Sequence, residues 1–324
     1  MRRATSTASA SSPKWSAGSR KSCRSCPSWA SSLSDFLQLG VAGLATGGIY
    51  ALVAIGFVLL WQTSQTINFA QGEFVMLPAF FVLAAMKFGG LSFPIALLAG
   101  FLLALLVLGL LFKRLVVDPM LRHGVLPLVI STLALAIFMK ESVKEFYAAE
   151  AQAFPTLWAT TDLTIGTAAV SAQSLVIIAV AVAAVALLQY FLGATRTGRQ
   201  MQATAQNPAL ARVLGIPVER MILYTFLINA ALVALASFLI SPIYLAKFTN
   251  GETLGLVAFV AAIVGGFNQV RGAIVGGLLV GVIDNFVAAY WSSQYRGAIP
   301  LFLLIAVILF RPQGLLGRAE ERTV

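Results

Sequence analysis

Charge is scarce in this sequence. Only 10% of its 324 residues are Asp, Glu, Lys or Arg, and 59% are hydrophobic, with a mean hydropathy of +0.89. A soluble domain carries about 25% charged residues, so a solvated globular fold is excluded and an integral membrane protein follows. Histidine is scarcer still, with His123 standing alone. One imidazole without a nucleophile partner leaves little for intramembrane acid-base or nucleophilic catalysis. The two cysteines, Cys23 and Cys26, form a single C-x-x-C with no second pair. A zinc site needs four ligands, so neither a metal nor another cofactor is expected.

The net charge of +10 would suit a nucleic-acid binder, but its placement argues otherwise. Arg2, Arg3, Lys14, Arg20, Lys21 and Arg24 sit in the first 24 positions unopposed by any acid, and setting them aside lowers the excess to +4. The rest follows the bias of membrane proteins toward cytoplasmic Lys and Arg, so no nucleic acid is expected. Residues 1–33 read as a polar, disordered tail without the apolar run of a signal peptide, and need not belong to the native product. Residues 34–318 form the transmembrane domain, and 319–324 a short tail.

What the chain has in quantity is long uncharged runs. Crossing a bilayer takes roughly 20 apolar residues as a helix, because no water is there to satisfy the backbone. Runs of this kind are Phe36 to Trp61, Leu91 to Phe112, Val125 to Met139, Leu175 to Leu192, Met221 to Tyr244, Thr253 to Phe267, Ala273 to Trp291 and Ala298 to Phe310. The fold class is therefore all-α and polytopic, with about eight spans, seven to nine depending on the short runs.

Gly43 and Gly47 in the first run form a G-x-x-x-G, which permits close helix approach. The pairs Gly265 with Gly266 and Gly276 with Gly277 read as packing or hinge positions. Between the first two apolar stretches lies QTINFAQGEF, with Asn68, Gln71 and Glu73. Amides and an acid there suit a broken or re-entrant helix over a cavity, and make these residues pathway candidates. The alternative for Glu73 is a helix-end carboxylate at the membrane interface. Asp284, alone in the middle of its run, is either a further pathway candidate or a buried, hydrogen-bonded acid near Asn285. The polar stretch from Lys140 to Thr167 is expected outside.

Alternating the spans places Lys113, Arg114, Arg122, Arg196, Arg199, Arg212, Arg220, Arg271, Arg311, Arg318 and Arg322 on one side. Lys87, Lys140, Lys144, Lys247 and Arg296 fall on the other. Eleven against five marks the first side as cytoplasmic. Counting every early run as a full span puts the basic tail outside, unless Asn68 to Phe88 dips in and returns.

A second long polar interval, Thr195 to Pro217, lies on that cytoplasmic side. Asn207 suits an N-cap, Pro208 a first helical position and Gly215 a left-handed stop, which predicts a two-turn helix over Asn207 to Leu214. Ala203, Asn207, Ala211 and Gly215 recur every four residues, and along a continuous helix they would form a face of small residues open to another protein. The alternative is a solvated turn. GATRTGRQ has the glycine spacing of a phosphate-binding loop but lacks the Lys followed by Ser or Thr, so ATP is not bound there.

These residues carry a family resemblance. The loop, with Thr195, Arg196, Gly198, Arg199, Ala203, Ala205, Ala211, Gly215 and Ile216, resembles the coupling loop of ABC-importer permeases of the branched-chain amino acid type. GGIYALVAIGF, INFAQGEFVML, AIVGGFNQVRGAIVGGLLVG and RPQGLLGR are similar to the same family, and the match runs from about Phe36 to Arg318. It looks most like the H-type, LivH-like subunit. Departures are the absence of any Glu between Glu150 and Glu219, where the general importer loop begins Glu-Ala-Ala, and Gln71 where the family often has His. The resemblance implies a second homologous permease (LivM-like), two cytoplasmic ATPase subunits docked on the coupling loops, an extracytoplasmic solute-binding protein, and the bacterial inner membrane as setting. It implies import of branched-chain or other hydrophobic amino acids, or of urea or a short amide. An ion-coupled secondary transporter is the reading from another class; it would need Glu73 or Asp284 as the coupling group. Asn268 and Arg271 would add to the docking surface.

Overall fold

The computed structural model describes residues 28–65, 67–121, 123–147, 149–156, 162–165 and 168–317. Cys23, Cys26, Arg122, Arg318 and Arg322 lie outside them, as does most of the expected tail. The helices are α1 (Ser28–Ser64), α2 (Gln71–Gly89), α3 (Phe93–Ala104), α4 (Asp118–Leu121), α5 (Val125–Phe146), α6 (Ala172–Ala194), α7 (Arg196–Gln206), α8 (Pro208–Val213), α9 (Val218–Tyr244), α10 (Asn250–Gly265), α11 (Val270–Tyr290) and α12 (Ala298–Phe310). α3 runs on through two π-helical stretches, making one apolar rod from Phe93 to Met120. A small antiparallel hairpin, β1 (Asp162–Ile165) and β2 (Ala168–Ser171), precedes α6. Among the described residues seven helices have the length and composition to cross a bilayer, and two shorter apolar ones accompany them. The chain is a multi-pass, all-α membrane protein but for the hairpin.

Some boundaries differ from those expected. α1 begins at Ser28, inside the segment assigned to the tail, because adding a turn to an existing helix costs far less than nucleating one. α5 does not stop before Lys140 but continues to Phe146. Its two lysines stay helical because Lys144 pairs with Glu141 at 3.0 Å and Lys140 reaches Glu252 at 2.6 Å.

α1 is the axis of the molecule. Its middle is almost wholly buried, and α9, α10 and α11 pack around it. α11 runs antiparallel to it on glycine: a Cβ at Gly47 would come within 2.8 Å of the Leu278 Cα, and one at Gly277 within 2.5 Å of the Ala51 backbone. Gly43 faces Val282 in the same seam, and Gly276 with Gly265 forms a second seam between α11 and α10. Backbones this close replace side-chain packing by direct main-chain contact. At Gly266, φ is +113°, and the segment after Arg311 folds back there, with Leu315 and Leu316 amides donating to the Val264 and Gly265 carbonyls. The last carbonyls of α10 are thereby satisfied.

The connection 65–70 climbs back into the protein. Gln71, first residue of α2, lies against Gly56, eight residues before the end of α1, or about 12 Å along its axis. It also bonds to Asn229, eleven residues into α9, about 16 Å from that helix's start. α2 therefore starts near mid-membrane and runs out beside α9, as the Ala79 amide to Ser237 contact confirms. It does not dip and return, so α1 begins on the side opposite α7. That α7 side gathers Lys113, Arg114, Arg196, Arg199, Arg212, Arg220, Arg271 and Arg311, while Lys87, Lys140, Lys144, Lys247 and Arg296 belong to the other.

A relation not anticipated from sequence links the two ends of the chain. α1, α2 and α3 correspond to α9, α10 and α11: the first helix ends at Ser64 or Tyr244, the second starts at Gln71 or Asn250, the third at Phe93 or Val270. α9 runs antiparallel to α1, since the α1 residue Tyr50 meets the far ends of α9 and α11 through the cluster formed by Asp284, Arg296 and Tyr244. The two triples are thus inverted copies about an axis in the membrane plane, an arrangement recurrent in transporters.

Candidate functional site

Three polar regions hold the predicted site residues. The first is the loop between α6 and α9. Thr195 caps α7, its hydroxyl accepting from the Gly198 amide at 2.9 Å. Asn207 caps α8, its Oδ1 accepting from the Ala209 and Leu210 amides at 3.0 Å each. Gly215 stops α8 at φ +77°, with the Ile216 amide donating to the Ala211 carbonyl at 3.0 Å. The small helix is where its capping residues place it.

Two details differ. The chain is extended at Asn207 (φ −152°, ψ 99°), so α7 and α8 are separate rods and Ala203, Asn207, Ala211 and Gly215 do not share one helical face. Ala211 is 2% exposed and seated on the protein, whereas Leu210, Val213 and Leu214 point outward. The outer face of α8 is thus apolar and bulky, because the small residue was needed for the inner contact. α7, with Arg199 exposed and Met201 and Thr204 buried, packs on α6, α9 and the end of α1, and faces the start of α11 across a gap. A cavity there is lined by Gln62, Thr63, Gln202, Asn268 and Arg271. The Gln62 amide donates to the Asn268 carbonyl at 2.7 Å.

The second region is the mid-membrane start of α2. Gln71 is fully buried and exchanges two hydrogen bonds with Asn229, at 2.7 and 2.9 Å. Asn68 accepts from the Ala70 amide at 3.0 Å. Glu73 is 5% exposed, and its Oε2 has no hydrogen-bond partner among the described residues. It lines a cavity of about 450 Å³ with Phe57, Phe69, Leu133, Ile137, Lys140 and Phe259. An interfacial helix-end position is excluded by this depth.

The third region surrounds Asp284, 2% exposed. Its Oδ2 accepts from Arg296 Nε at 2.9 Å and from the Tyr50 hydroxyl at 3.2 Å, and Arg296 Nη2 bonds the Tyr244 hydroxyl at 2.5 Å. Asn285 is not its partner; that amide bonds the Gly281 carbonyl. Asn229, Lys140, Glu252, Arg296, Tyr50 and Tyr244 were missed from sequence. Most of these pairings are long-range, but one signal was available: Phe69-Ala70-Gln71-Gly72-Glu73 recurs as Phe248-Thr249-Asn250-Gly251-Glu252.

Residues 40–308 match the family described as branched-chain amino acid transport system / permease component. The chain belongs to this family. Relatives cover most of the chain. The high-affinity branched-chain amino acid transport system permease protein BraD of Pseudomonas aeruginosa is 34% identical over 303 residues, covering 89% of this chain and 98% of that one. LivH of Escherichia coli K12, a permease protein of the same kind of system, is 32% identical over 301 residues with the same coverage. The probable branched-chain amino acid transport permease LivH of Methanocaldococcus jannaschii is 26% identical over 290 residues, 83% of this chain and 89% of its own. As a branched-chain-type permease the chain is a transport component and not an enzyme.

Proposed function

We propose that this permease is one half of the membrane part of an ABC importer in the bacterial inner membrane, carrying a branched-chain or other hydrophobic amino acid. α7 and α8 face the cytoplasm, where Lys and Arg are concentrated. Two ATPase subunits dock there, one on this chain and one on a second, LivM-like permease, and an extracytoplasmic binding protein delivers the solute. Of the coupling set Arg199, Ala203, Asn207, Ala211, Gly215 and Ile216, Asn207 and Gly215 fix the ends of α8 and Ala211 seats it, so that Leu210, Val213 and Leu214 form the docking face.

The observation that carries this reading is the outer face of α8. Leu210, Val213 and Leu214 are 56%, 82% and 69% exposed, on a helix fixed at both ends. A merely solvated turn does not present three large apolar side chains in water. A push on α8 passes through α7 to α9 and the end of α1, and α1 is locked to α11 along the glycine seam. Ion coupling loses one of its two candidate groups, since Asp284 is already neutralised by Arg296, and would rest on Glu73 alone.

The test is leucine uptake and ATP hydrolysis by the whole importer in proteoliposomes. Leu210→Asp combined with Val213→Asp should lower uptake about tenfold, as for removal of a docking hot spot. Insertion and melting temperature should be unchanged. Gly215→Trp, which forces a side chain into left-handed backbone and so disturbs the end of α8, should also lower uptake while the protein remains inserted. Normal uptake by both variants would defeat the docking role.

A further inference from the structure

The sequence repeat around the two inner helix starts extends beyond the five residues already noted. FAQGEFVMLPAF (69–80) and FTNGETLGLVAF (248–259) share Phe, Gly, Glu, Leu, Ala and Phe at equivalent places. These are the starts of α2 and α10, equivalent helices of the inverted copies, and they meet. A Cβ at Gly72 would lie 2.5 Å from the Gly251 carbonyl oxygen, and one at Gly255 2.5 Å from the Gly72 Cα. The pseudo-twofold axis thus passes between Gly72 and Gly251, and Glu73 and Glu252 are its paired acids.

Their surroundings break the symmetry. Glu252 is largely exposed and is bound by Lys140 at 2.6 Å. Glu73 is buried, with Oε2 over Gly251, where an added Cβ would come within 2.5 Å of it. Glycine at 251 is what leaves room for that carboxylate. It sits in the first turn of α2 and beside the first turn of α10, and two helix N-termini favour its charged form. Lys140 is already taken by Glu252, so Glu73, when ionised, has no counter-ion within the cluster. Such a charge at membrane depth is costly and marks a place where a partner is supplied from elsewhere. The cavity in front of it, about 450 Å³, lies in the range of small-molecule sites, and Phe57, Phe259, Leu133 and Ile137 give it apolar walls.

We propose that this cavity is the mid-membrane station for the solute, with Glu73 receiving the primary ammonium group of a zwitterion whose apolar side chain rests on Phe57 and Phe259. This rests on the reading of the chain as an amino acid permease. Glu73 is the specificity-determining group for the ammonium; Gly251 and Gly72 are there to admit it.

The test uses the intact importer with Cys23→Ser and Cys26→Ser and a reporter, Ile137→Cys, in the cavity wall. Its modification rate is measured with a cationic thiol reagent, 2-aminoethyl methanethiosulfonate, and an anionic one, 2-sulfonatoethyl methanethiosulfonate, each normalised to a free thiol. The cationic reagent should be favoured about tenfold, as expected for one nearby charge. Glu73→Gln should bring the ratio close to one, and Glu73→Asp should keep most of it. Leucine should slow modification with Glu73 present and not with Gln. Equal rates for the two reagents in the parent, or leucine protection surviving Glu73→Gln, overturns the proposal. Leucine uptake is measured alongside. A parent that does not import leucine yet favours the cationic reagent removes the amino-acid reading and supports the ammonium site. Normal leucine import by Glu73→Gln removes the site and leaves the permease reading intact.

Discussion

Glu73 and Asp284 are both carboxylates buried in an apolar protein, 5% and 2% exposed, and their surroundings could hardly differ more. Asp284 accepts from Arg296 and Tyr50, and its arginine is held in turn by Tyr244, so the charge is cancelled within the chain. Glu73 has helix starts on two sides, apolar walls in front and an oxygen without a partner. The first arrangement joins α1, α9, α11 and the turn before α12 at one end of the molecule. The second leaves electrostatic work undone at its centre. A membrane protein can keep both because the costs fall on different things: the paired acid holds the fold, and the unpaired one, on the proposal above, holds something that comes and goes.

The largest expected effect comes from breaking the paired acid. Asp284→Ala leaves Arg296 without its counter-ion and should cost on the order of 3 kcal/mol, at the low end for a broken buried pair because the Arg296 side chain is 32% exposed. A fall in melting temperature of the purified protein in detergent checks this. Next is the neutral pair beneath Glu73. Asn229→Leu strands the buried Gln71 amide and should cost about 1–3 kcal/mol in the same assay. Gln71→Leu added to Asn229→Leu should recover most of that, since removing both partners leaves nothing unsatisfied; a double variant worse than the single would show the pair does more than satisfy itself. The smallest effect on stability belongs to Glu73. Glu73→Gln should move the melting temperature little, or upward, because it removes a charge with no internal partner. A loss as large as that of Asp284→Ala would erase the contrast between the two acids.

The same contrast explains what could be read from sequence. The spans follow from composition, since a long uncharged run satisfies its own backbone in lipid only as a helix, and Phe36 to Trp61 or Met221 to Tyr244 need no tertiary knowledge. The caps of α8 are equally local: Asn207, Pro208 and Gly215 each act on their own neighbours. Asp284 and Glu73 were visible as isolated acids, but which of them is paired depends on Arg296, Tyr50 and Lys140, brought in from other helices. α7 was missed because its pattern is too polar for an apolar-run search, although Thr195 was an available cap. The end of α5 was misplaced because Lys140 reads as a boundary until Glu252 is seen beside it. The open face of α8 was assigned to the wrong residues for a related reason: whether Ala211 or Leu210 turns inward is decided by the seat, not by the helix.

The inverted pairing of α1–α3 with α9–α11 also bears on direction. A half-turn about an axis in the membrane plane exchanges inside with outside, so this core, taken alone, does not distinguish entry from exit. The distinction comes from parts that have no twin: α7 and α8, inserted between the copies, and the segment after Arg311 folded against Gly266. Both lie on the arginine-rich side. On the proposed function, the polarity of transport then resides in what is fastened to one end of these helices.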